Sequence, residues 1–104
     1  MLFAQAAARA CYNPYTGTRS GVALRVTGTA RIALGWLIEN AAFDQTVDPL
    51  QVALIDMLQS GTFDYSAIRE AVIAESPGQT SYVDRTRALL AAIAPNATFA
   101  HVGV

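Results

Sequence analysis

The 104-residue chain contains no lysine, one cysteine, one histidine and one tryptophan, and only 14% of its residues are charged. Each shortage excludes a class of function. A single cysteine, Cys11, allows neither an internal disulfide nor a cysteine-based zinc site. His101 is the only histidine and no second ligand type clusters near it in sequence, so no metal or other cofactor is expected. A Cys11–His101 catalytic pair finds no support in the spacing, and no phosphate-loop or dinucleotide fingerprint is present. No stretch is apolar for long enough to cross a membrane, because Arg25, Arg31 and Glu39 interrupt the best candidate. The opening MLFAQAAARACYNP lacks the layout of a signal peptide, since Arg9 falls where the apolar region should be. A cytoplasmic setting, or the inside of a viral particle, is the expectation.

What is abundant is apolar residues, at 53% of the chain. A chain of this length makes one domain, residues 1–104, and hides roughly two-thirds of its unfolded surface. Plentiful core-formers beside scarce charge predict apolar surface left over, which marks contact with a partner. The charges are also unevenly placed. Residues 1–38 hold Arg9, Arg19, Arg25 and Arg31 and no acid, whereas residues 39–104 hold eight acids and three arginines. The two parts are therefore +4 and −5, within a net charge of −1. Either the basic part meets an anion or the two parts face each other.

The pattern predicts a mainly α fold, a compact bundle of four or five helices. Its centre is a helix over about residues 30–43, ARIALGWLIENAAF, with two apolar stripes: Leu34, Leu37, Ile38 and Ala41 on one side, Ile32, Trp36 and Phe43 on the other. Residues 2–12 read as an alanine-rich helix stopped at Asn13-Pro14, and residues 13–21 as a loop. Residues 22–27 alternate like a half-buried strand, whose only evident mate is the tail at 97–102. Asp48-Pro49 starts a helix that Gly61 ends. Asp64 caps a further helix through Glu75, with Phe63 and Ile68 spaced as a staple across the cap. A last helix runs from Thr80 or Ser81 to Ala94-Pro95.

The helices at 49–60 and 65–75 have the layout of a helix-turn-helix, but the second offers DNA only Arg69, beside Glu70 and Glu75. The loop region carrying Tyr12, Tyr15, Arg19, Arg25 and Arg31 among glycines is the better candidate for phosphate or nucleic-acid contact. Apolar residues off the inner helix faces (Val52, Ile55, Ile73) and in the tail (Phe99, Val102) mark a partner interface. The reading that follows is a non-enzymatic structural or adaptor subunit with no catalytic residues. It packs into a multi-copy assembly, virus-particle-like, with other protein chains or copies of itself as partners. The alternative is a small polyanion-binding protein using the arginine-rich first third.

Overall fold

A four-stranded sheet, and not a helix, forms the centre of the protein. In a computed structural model that describes residues 2–12, 18–28, 31–38, 46–62, 64–77 and 81–104, the order is α1 (Leu2–Arg9), β1 (Ser20–Val26), β2 (Ile32–Trp36), α2 (Pro49–Gln59), a 3-10 turn (Tyr65–Ala67), β3 (Ile68–Glu75), α3 (Val83–Ile93) and β4 (Thr98–Val102). The strands lie side by side as β2-β1-β3-β4. β1 is antiparallel to β2 and β3, and β4 runs parallel to β3.

Helices cover both faces. Val22, Leu24, Val26, Ile68, Ala71 and Ile73 point to the side that holds α2 and α3, where they meet Leu50, Ala53, Leu54, Met57, Val83 and Leu90. Ala23, Val72 and Ala74 point to the other side, where Ala4 and Ala8 of α1 lie on them. Two glycines let helix backbone lie directly on strand. A Cβ on Gly21 would overlap the backbone of Ala8, and one on Gly35 the backbone of Pro49 and Ala53.

This layout overturns the bundle. Residues 30–43 do not form a central helix: Ile32, Leu34 and Trp36 are half-buried, Ala33, Gly35 and Leu37 fully buried, and the alternation is that of a strand. Residues 39–45, including Phe43, lie outside the described residues, as does Phe63 of the expected staple. The two stripes do not survive: Leu34, placed opposite Ile32 and Trp36 on a helix, shares their face of the strand, and Ala33, Gly35 and Leu37 form the other. Residues 65–75 are corrected in the same way. Asp64 caps only the 3-10 turn, its carboxylate held below the usual range by the Ser66 hydroxyl and then the Ser66 amide. The chain then extends into β3, so no helix-turn-helix exists. Residues 22–27 do lie mostly within β1, yet its neighbours are β2 and β3, while the tail strand β4 pairs with β3.

Three helices stand close to their sequence-derived positions. In α2, the Asp48 carboxylate accepts from the Gln51 amide at 2.9 Å, Pro49 occupies the first turn, and Gly61 follows the helix at φ +100°. Replacing Asp48, itself buried, by alanine should lower stability by about 1 kcal/mol, read as a shift in urea midpoint at unchanged slope.

One amide on the outer edge of β2 is taken by a side chain. Asp56 of α2 accepts the Leu34 amide at 3.0 Å through one oxygen and the Arg31 guanidinium at 2.7 Å through the other.

Candidate functional site

Among the described residues, a cluster of polar contacts, buried at its inner end, lies where β1 begins, β3 ends and α3 starts. The Arg19 amide donates to the Ser76 hydroxyl at 2.8 Å, and the Ser76 amide returns to the Arg19 carbonyl at 2.9 Å. One residue further in, the Ser20 hydroxyl donates to Oε2 of Glu75 at 3.0 Å. The same oxygen accepts the backbone amide of Tyr82 at 2.9 Å. Glu75 and Ser20 are both buried, so this carboxylate depends on those donors. Tyr82 stands at the cap position of α3, makes no side-chain cap of its own, and is fully buried. The Arg85 guanidinium lies 5.2 Å from the centre of its ring. Leu50, from the first turn of α2, lies in the same apolar cluster as Tyr82.

The residues singled out from the sequence do not converge here or elsewhere. Arg19 and Arg25 lie toward opposite ends of β1, about 20 Å apart at the rise of a strand. Arg25 sits 3.6 Å from Glu70 and Arg31 holds Asp56, so two of the three basic residues already face acids of the second part of the chain. Tyr12 is exposed, and Tyr15 lies outside the described residues. Of the interface candidates, Ile73 is fully buried in β3 and is part of the core. Phe99 packs on the core beneath Arg87, and Val102 packs on the α1 side. Val52 is half-buried. Ile55 alone is half exposed, on an apolar groove lined also by Val47, Gln51, Leu58, Tyr65 and Leu89. Cys11 is half-buried against the core and His101 is exposed on β4.

Residues 1–87 match the family model described as the cytidine and deoxycytidylate deaminase zinc-binding region. The chain belongs to this deaminase family. A cytidine deaminase of Vibrio atlanticus is 36% identical over 102 residues, which are 97% of this chain and 34% of that protein. A cytidine deaminase of Klebsiella pneumoniae is 47% identical over 70 residues, 66% of this chain and 23% of that protein. The chain thus spans about a third of the length of such relatives, or less. Among solved structures, the cytidine deaminase of Mycobacterium tuberculosis superposes with a TM-score of 0.75 at 18% identity, over 94% of this chain and 77% of that one. That of Burkholderia pseudomallei gives 0.72 at 21%, over 86% and 70%. The fold is therefore the cytidine deaminase fold. Family membership also corrects the functional reading: the non-enzymatic subunit, and with it the virus-like particle, gives way to a family of enzymes.

Deaminases of this kind hold zinc with one histidine and two cysteines, or three cysteines, in the signature H-x-E…P-C-x-x-C, the glutamate moving protons. The residues of this chain do not fit that metal. The segment Pro77-Gly78-Gln79-Thr80-Ser81 leads into α3 with the proline spacing of P-C-x-x-C, but glycine and serine stand where the cysteines belong. No histidine precedes it; His101 follows it and is succeeded by Val102 and Gly103. At the start of α2, Asp48 is engaged as a cap and Leu50 is fully buried. Among the described residues, no group of three potential ligands gathers.

Proposed function

We propose that the chain is part of a cytidine deaminase, an enzyme that exchanges the amino group at C4 of cytosine for oxygen, and that the zinc-bound water for the reaction is held by residues beyond these 104. The observation that carries this reading is a pairing of opposites. Near-complete coverage by cytidine deaminases about three times as long stands beside a P-x-x-x-S stretch that contains neither thiolate. A hard serine hydroxyl and a glycine cannot replace two thiolates as ligands for a borderline-soft cation. Deamination then needs a second deaminase unit, in the same polypeptide or in a partner chain. The apolar groove beside α2, with Ile55 at its margin, and the exposed Leu2 and Phe3 of α1 support such an assembly as surfaces for protein contact.

The test compares two preparations. The isolated 104-residue chain should contain no stoichiometric zinc by elemental mass spectrometry and should leave cytidine unchanged. Protein captured from its source cells with an antibody to this chain should contain zinc and convert cytidine to uridine. Zinc-dependent turnover by the isolated chain, or captured protein with no turnover, overturns the reading.

A further inference from the structure

In a P-C-x-x-C zinc site the two thiolates share one metal, which therefore links the two ends of a short segment. Here the same segment, 77–81, is bracketed by a different bond. Glu75, two residues before Pro77, reaches across to the amide of Tyr82, one residue after Ser81, at 2.9 Å. Through the same oxygen it also takes the hydroxyl of Ser20 on the neighbouring strand. Both sides of the contact are buried.

Resting on the misfit with zinc described above, we propose that Glu75 replaces the metal as the tether between β3 and α3, so that this deaminase unit holds its shape with no ion at all. Three features of the site agree. The amide of the cap residue Tyr82, at a helix end where amides lack intrahelical partners, is served by the strand carboxylate, while the Val83 amide after it donates to the Ser81 hydroxyl at 3.3 Å. A carboxylate beside the positive end of a helix is electrostatically favoured, as a thiolate would be. The ring of Tyr82, fully buried beside Leu50, also fills apolar space at the helix start. Glu75 is therefore a positioning residue, acting on α3 through Oε2.

Because one oxygen accepts both bonds, glutamine can supply them through its single carbonyl oxygen, whereas alanine and methionine cannot. Amide hydrogen exchange resolved at Tyr82 should quicken by tenfold or more in Glu75→Ala, with exchange in α1 and β2 unaltered, and should stay within about threefold of the parent in Glu75→Gln. Should the alanine variant not fold, Glu75→Met, closer in volume, gives the same reading; folding of Glu75→Gln alone among the three also supports the tether. Thermal melting of the parent chain should not change with a strong chelator. Unaltered exchange at Tyr82 in the alanine or methionine variant overturns the tether, as does a glutamine variant as perturbed as they are. A chelator-lowered melting temperature shows that a metal still does this work. The outcome is separable from the enzymatic reading, since it requires no turnover measurement.

Discussion

Gly35→Ala should destabilise the isolated chain by about 3 kcal/mol, and Gly35→Val should prevent folding. Gly35 stands in β2 with its α-carbon against α2, where the added methyl group would fall on the carbonyl oxygen of Pro49 and the amide nitrogen of Ala53. Neither atom can swing aside like the end of a side chain. Relief requires the whole helix to withdraw from the strand, which would loosen Leu50, Ala53, Leu54 and Met57 in the core. Gly103→Ala provides the control, because a methyl group there meets nothing within 4 Å, and it should stay within about 0.5 kcal/mol of the parent. Urea unfolding followed by far-ultraviolet circular dichroism reads both. A Gly35→Ala midpoint equal to the parent's would show that the helix does not lie on the strand as described.

Ile73→Ala should cost about 3 kcal/mol, and Ile73→Asp should leave no cooperative transition. The side chain is fully buried in a central strand, paired to Val22 on one side and to His101 on the other. As an interface residue it would tolerate aspartate in the free chain and lose only partner binding; as a core residue it unfolds the chain itself. Ile55→Asp is the contrasting substitution, because Ile55 is half exposed, and it should change stability by no more than about 1 kcal/mol. Equal tolerance at both positions would contradict the register of β3.

The elements that sequence made legible are those controlled by local chemistry. Asp48-Pro49 and Gly61 bound α2 by capping and by backbone conformation, both of which act within a turn. β2 and β3 were misread because their signal is tertiary. A strand covered by helices on both faces is apolar throughout, and its apolar residues satisfy helical spacing as readily as strand spacing. Gly35 inside the supposed helix and β-branched Ile68, Val72 and Ile73 inside the next were the local objections. The family was illegible for a chemical reason: deaminase motifs are recognised by histidine, cysteine and glutamate in set spacings, and this sequence carries no such set. What survives is spacing, Pro77 to Ser81 ahead of a helix, which has no meaning until the fold is known. Arg25 and Arg31 were candidates for an outside anion, but β1–β3 pairing and the approach of α2 bring Glu70 and Asp56 to them.

The carboxylate of Asp56, by occupying the Leu34 amide along the free margin of β2, withdraws one main-chain donor there, so a strand approaching that margin would find the Leu34 position already served.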